Sequence, residues 1–132
     1  MLITGILLAG AAAAFHVFIF VLESLRWTEP ATRRIFGVRR VEDAETMRAL
    51  AFNQGFYNLF LAVTVLLGIA LVWSGQQVIG GTLVLAGTGM MLGAALVLAL
   101  SDRTKLRAAA MQGGLPLLSV IALAVAFARP AG

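Results

Sequence analysis

The chain has no cysteine and a single histidine, His16. Without thiols there can be no disulfide, thiolate zinc site, iron–sulfur cluster or cysteine nucleophile. One imidazole excludes a multi-histidine metal centre within one chain, so no metal and no cofactor is expected. Charge is also scarce: 12% of the 132 residues are charged, against about 25% in soluble domains. The ten Lys and Arg residues exceed the six acids, for a net charge of +4. These basic residues lie in loops, and no aromatic residues interleave with them on a soluble face, which argues against nucleic-acid binding. Apolar residues make up 61% of the chain, with a mean hydropathy of +0.96. A water-soluble fold of this size cannot hide so much apolar surface, so the excess must face lipid. At this length a single domain over residues 1–132 is expected.

About 20 apolar residues are needed to cross roughly 30 Å of hydrocarbon. Four segments qualify, at about 3–25, 49–73, 79–100 and 107–128. The first lacks a basic leader and its apolar run continues through Phe15–Leu22, so it reads as an uncleaved span and not a signal peptide. The second should begin earlier as a helix outside the membrane, with Glu42, Asp43 and Glu45 in its first turns, where acids suit the helix dipole. Short connections make neighbours antiparallel, so the expected fold is all-α, an integral-membrane up-down bundle of four transmembrane helices. Gly89-Met90-Met91-Leu92-Gly93 fits GxxxG, a spacing that lets helices approach closely, within the chain or between copies in a homo-oligomer.

Basic residues set the orientation. The loop at 26–48 carries Arg26, Arg33, Arg34, Arg39, Arg40 and Arg48, and the third loop carries Arg103, Lys105 and Arg107. The second loop, Ser74-Gly75-Gln76-Gln77, is uncharged, and only Arg129 follows the fourth span. The positive-inside rule then puts both basic loops in the cytoplasm and both termini outside, in a bacterial inner membrane. The first loop is more than a linker. Thr28-Glu29-Pro30 ends the first helix, and the stretch from Arg33 to Arg40 mixes arginines with Ile35, Phe36 and Val38, a composition suited to anionic headgroups and the acyl boundary.

Polar side chains inside the spans are the candidate site. Glu23 is the foremost, because a carboxylate in a membrane helix costs about 2.5–3.5 kcal/mol and is a functional-site hypothesis by default. His16 precedes it by seven residues, one face and about 10 Å away along an ideal helix, and Trp27 follows it by four. Trp27 is also a natural headgroup-level anchor. Asn53 with Tyr57, and Gln54 with Asn58, form two i, i+4 pairs at the start of the second span. Gln112 lies early in the fourth, ahead of Gly113, Gly114 and Pro116, whose ring should kink the helix. With the orientation above, all these groups should meet at one depth near the cytoplasmic face, with Phe52, Phe56 and Phe60 as an apolar wall.

The strings Phe15-His16, Leu22-Glu23 and Trp27, then Asn53-Gln54-Gly55-Phe56-Tyr57-Asn58-Leu59-Phe60-Leu61, then Gln112-Gly113-Gly114-Leu115-Pro116 carry a resemblance. They resemble a bacterial and fungal membrane family, domain of unknown function 1304, with its pattern LHxY, LE, LW, NQGxYNxFLA and QGxP. This chain has Phe18 where that pattern has tyrosine, and one extra glycine in the last string. The resemblance implies a four-span membrane protein and brings no activity with it. In layout the chain is also similar to the MAPEG superfamily of small four-span membrane proteins, through Arg48-Ala49, Asn53 and Leu59-Phe60-Leu61-Ala62. Those proteins have Glu after the asparagine where this chain has Gly55-Phe56, so the likeness is one of layout and carries no glutathione site.

Three functions are compatible with these residues. The leading one is a lipophilic small molecule held in an inner-leaflet pocket, its polar head on Asn53, Gln54, Tyr57, Asn58, Gln112 and Trp27, with Glu23 and His16 as acid or base if it is also transformed. The second is transport of a proton or small solute, although the outer half offers little polar lining beyond Thr4, Thr64 and Ser119. The third is a structural or partner-binding protein in which the polar cluster is internal glue. In each case membrane lipids are the surrounding partners.

Overall fold

The structure, a computed structural model, describes residues 1–128; Arg129, counted in the charge asymmetry, lies outside the described residues. The fold is all-α. Helix α1 spans Leu2–Phe20 and passes into a π-helical turn, Val21–Leu25. A short α2, Pro30–Phe36, comes next, then α3 (Val41–Trp73), α4 (Gln77–Ser101), a 3₁₀ turn (Arg103–Lys105) and α5 (Leu106–Ala128). Four stretches are long and apolar enough to cross a membrane: Leu2–Leu25, Val41–Trp73, Gln77–Ser101 and Arg103–Ala128. At about 1.5 Å per residue, the 33 residues of α3 reach about 50 Å, well beyond the hydrocarbon thickness, with Glu42 and Asp43 in the first turn.

Local chemistry explains the boundaries. Pro30 opens α2, where its missing N–H is no loss. Gly37 closes it with φ at 72°, and Gly37 N–H and Val38 N–H donate to the Arg34 and Arg33 carbonyls. The same Schellman pattern ends α3: Gly75 has φ at 92°, and Gly75 and Gln76 N–H donate to the carbonyls of Val72 and Leu71. Both positions require a left-handed residue, which glycine supplies without strain. Asp102 starts the 3₁₀ turn by accepting from the Thr104 hydroxyl (2.6 Å) and N–H (2.9 Å). Those bonds hold its carboxyl below the usual range, with Lys105 adding to the effect. α5 runs helically through Pro116.

The chain divides into two compact units, one of residues 1–15 with 61 onward, the other His16–Phe60. In the first, parts of four helices pack antiparallel in the order α1, α3, α4, α5, closing back on α1. Small residues make the contacts. A Cβ on Gly80 would fall 2.5 Å from the Gly68 carbonyl and 2.6 Å from the Val72 nitrogen. One on Gly113 would meet the Ala95 Cβ at 2.6 Å, and one on Gly5 the Leu123 side chain at 2.7 Å. The buried Ser119 hydroxyl donates to the Gly5 carbonyl at 2.8 Å, and Ala9, Ala12, Ala13 and Ala62 are buried with them. Lipid tails are as apolar as leucine, so close backbone packing and interhelical hydrogen bonds hold such helices together. Large side chains point outward instead, among them Leu7, Val78, Val97 and Leu100. Gly89 and Gly93 are not among the contacts: a Cβ on either meets nothing within 4 Å, so the GxxxG spacing serves no close helix contact within the chain.

Two glycines of one helix should therefore respond oppositely. Gly80→Ala forces backbone against backbone, which no rotamer change relieves, and is expected to cost about 1–3 kcal/mol. Gly89→Ala fills open space and gains about 0.5–1 kcal/mol of helix propensity. Thermal unfolding in detergent should show the first lower than the parent and the second level or higher.

The second unit has its own small core. Trp27, 7% exposed, is buried with Ala44 and Ala51, and Phe36 and Val38 pack against them. The Trp27 and Phe36 rings lie 5.2 Å apart, and the indole Nε1 donates to the Ala44 carbonyl at 2.8 Å. Arg33 ties the segment together by donating to the carbonyls of Thr28 (3.2 Å) and Arg39 (2.9 Å). The basic first loop is thus folded around a tryptophan, which is here a core residue.

A candidate site at the π turn

Glu23 lies in the π turn that ends the first span. The Arg26 N–H donates to the Val21 carbonyl, five residues back, at 3.0 Å. Such turns are rare in helices and frequent at functional sites. The turn faces Gly55 of α3. A Cβ on Gly55 would collide with the Ser24 hydroxyl and stand 3.0 Å from the Ser24 nitrogen and 3.1 Å from the Glu23 Cβ. Beside this crossing, the Ser24 hydroxyl donates to the Phe52 carbonyl at 2.8 Å. Phe20 meets Phe56 edge-on at 5.1 Å, and Phe56 lies between Phe52 and Phe60 at 5.0 and 6.1 Å along α3. Absence of a side chain at position 55 therefore lets α3 reach the acidic turn.

Asn58 meets the carboxylate. Its Nδ2 donates to Glu23 Oε2 at 3.0 Å and to the Gln54 carbonyl at 3.1 Å, which uses both amide hydrogens. Glu23 is largely buried and belongs to none of the ion pairs observed among the described residues. Those are Arg26–Glu29 (2.6 Å), Arg40–Glu42 (3.5 Å) and Arg48–Glu45 (3.4 Å), all on exposed side chains. Arg26, three residues beyond Glu23, is engaged by Glu29, whose carboxyl its hydrogen bond holds below the ordinary range.

A cavity of about 140 Å³ opens beside Glu23. Its polar walls are Glu23, Ser24, Thr28 and Arg48, and its apolar walls Leu25, Trp27 and Phe52. Of the residues singled out in the sequence, Glu23 and Trp27 line it, and Asn58 holds Glu23 from behind. Asn53, Gln54 and Tyr57 instead point outward, Tyr57 with 64% of its surface exposed. His16 is fully buried one stretch earlier in α1 and is not a cavity wall. Gln112 belongs to the other unit and is half-buried. Sequence reasoning passes over Ser24, Thr28 and Arg48 as site residues, and takes Phe52 only for part of an apolar face. Ser24 beside the acid and Arg48 one turn before Phe52 are the signals it holds for them. A larger cavity of about 230 Å³ in the first unit, walled by Ile6, Val72 and Trp73 among others, has no ionisable lining residue. Among the described residues, no three metal-ligating side chains gather.

No curated protein and no solved structure matches the chain. The profile of one family, Protein of unknown function (DUF1304), matches residues 10–124. That stretch includes the π turn, Gly55 and Asn58, as well as Gln112 and Pro116. The chain belongs to this family of proteins of unknown function.

Proposed function

We propose that the protein holds an amphiphilic small molecule in the cavity beside Glu23, at the cytoplasmic side of a bacterial inner membrane. The orientation rests on the arginines of the first loop and the bases near Arg103. The observation that carries the reading is a buried carboxylate on a π turn, held by one amide, in no ion pair among the described residues and facing a cavity. Internal glue would leave the acid fully satisfied by its neighbours. Asn58 binds the Oε2 oxygen while the side chain lines the cavity, and a mixed polar and apolar lining is what ligand sites use to orient an occupant. Glu23 is the group that would exchange a proton with an occupant, should one be transformed, because it is the acidic wall of the cavity.

Native mass spectrometry of the detergent-purified protein tests this directly. The parent should carry a stoichiometric lipid-sized adduct from its host membrane. Glu23→Gln, which keeps the shape and can still accept from Asn58, should lose most of it while retaining parental helicity. Thr28→Phe, which fills the cavity, should lose it as well. An adduct equally abundant in all three proteins would place the bound molecule elsewhere.

A further inference from the structure

We propose that the cavity takes the headgroup of a phospholipid in which a phosphate is linked to an ammonium, with the ammonium on Glu23 and the phosphate on Arg48. This deepens the preceding reading and rests on it.

The cavity has one acidic and one basic wall. A simple anion would meet the Glu23 carboxylate, and a simple cation would meet the Arg48 guanidinium. A molecule carrying both charges a short distance apart satisfies each wall. Glu23 has a hydrogen bond from Asn58 and no ion pair among the described residues, so its carboxylate can take a cation from an occupant. Arg48 contacts Glu45 through Nη1 at 3.4 Å, with both side chains more than half exposed, a pair of little net strength. A guanidinium has five N–H donors in a planar fork suited to phosphate, so Arg48 can serve a phosphate as well.

The aromatic walls agree with this polarity. Trp27 has spent its N–H on Ala44, so its ring is what remains to offer an occupant. Indole is the strongest cation–π partner, and aromatic walls beside a carboxylate are a recognised way to hold ammonium groups. Phe52, the second aromatic wall, continues onto the outside.

Acyl chains decide the source. An ammonium phosphate could come from a bilayer lipid or from a free water-soluble compound. Leu25 and Phe52 line the cavity and are also 64% and 48% exposed. Polar walls therefore merge with the apolar outer surface of the protein, where lipid tails lie. At about 140 Å³ the cavity has room for a headgroup and not for the tails.

The test uses the full chain, delipidated in detergent. Phosphatidylethanolamine and phosphatidylglycerol of identical acyl chains are titrated separately, with free phosphoethanolamine as a third arm, and binding is read by native mass spectrometry. Phosphatidylethanolamine should bind at least about tenfold more tightly than phosphatidylglycerol, because only it supplies a cationic donor to the buried acid, the glycerol hydroxyls being neutral. Glu23→Gln should abolish that preference. Arg48→Gln, at an exposed position that tolerates change, should weaken both lipids. Free phosphoethanolamine should bind far more weakly than the lipid. Equal binding of the two lipids by the parent, or a preference that survives Glu23→Gln, overturns the headgroup assignment, and tight binding of free phosphoethanolamine overturns its lipid source. If phosphatidylglycerol binds as well as phosphatidylethanolamine and Thr28→Phe removes it, the cavity is a lipid site with another headgroup. If the parent binds none of the three, the cavity reading fails with it.

Discussion

Trp27→Ala should destabilise the protein by about 3–5 kcal/mol, the range for emptying an aromatic site in a packed core. The indole is buried against Ala44, Ala51 and Phe36. Its N–H bond to the Ala44 carbonyl is lost with it. Trp27→Phe separates the two contributions. It keeps a ring but not the hydrogen bond, so it should cost about 0.5–1.5 kcal/mol for that bond plus a smaller packing loss. Thermal unfolding in detergent measures both, and amide exchange over residues 28–44 should accelerate in the alanine variant. An interfacial anchor behaves otherwise, since its ring rests among headgroups and Phe or Ala would barely move the midpoint. A small, equal effect for both substitutions would return Trp27 to the anchor role that its position in the sequence suggests.

Gly55→Val is the second large effect. Its Cβ must occupy space held by the Ser24 hydroxyl and come within 3.0 Å of the Ser24 backbone nitrogen. The hydroxyl can rotate away, but the nitrogen cannot. Overpacking of this kind costs about 1–3 kcal/mol, and the branched side chain adds a second carbon to the same place. Separation of α3 from the π turn also breaks the Ser24 bond to the Phe52 carbonyl and draws Asn58 off Glu23. The variant should therefore unfold at a lower temperature and lose any adduct that the proposed site beside Glu23 holds in the parent. Gly55→Ala should fall between parent and valine. A Gly55→Val protein with parental midpoint and parental adducts would mean that the helices do not cross here.

The four apolar helices are legible in the sequence because span length and hydropathy are set by bilayer thickness, which does not depend on packing. The break before Pro30 and the turn at Gly75 are marked by residues with restricted or unusual backbone freedom, whereas the short helix Pro30–Phe36 that Gly37 closes is hidden in a stretch that reads as interfacial. The site is legible only in part. Glu23 stands out through its charge, but its surroundings do not, because placing His16 and Trp27 on its face assumes an unbroken 3.6-residue period. The π turn breaks that period inside the interval. Along α3, i, i+4 spacing pairs Asn53 with Tyr57 and Gln54 with Asn58, yet spacing cannot tell which pair turns inward. Gly55 settles this: the crossing at its bare face leaves Asn58 beside Glu23 and Asn53, Gln54 and Tyr57 outside. Arg48 reads as one more orientation charge, since nothing in a linear pattern shows that it shares a cavity with an acid twenty-five positions earlier.

The wide turn at Val21–Leu25 holds one residue more than regular winding would use there. Deleting one residue within it would return this stretch to regular winding and remove the bulge that carries Glu23, while the flanking residues keep their facing, because the wide turn absorbs its surplus residue locally. The acidic wall thus depends on the number of residues in this turn as well as on the glutamate itself.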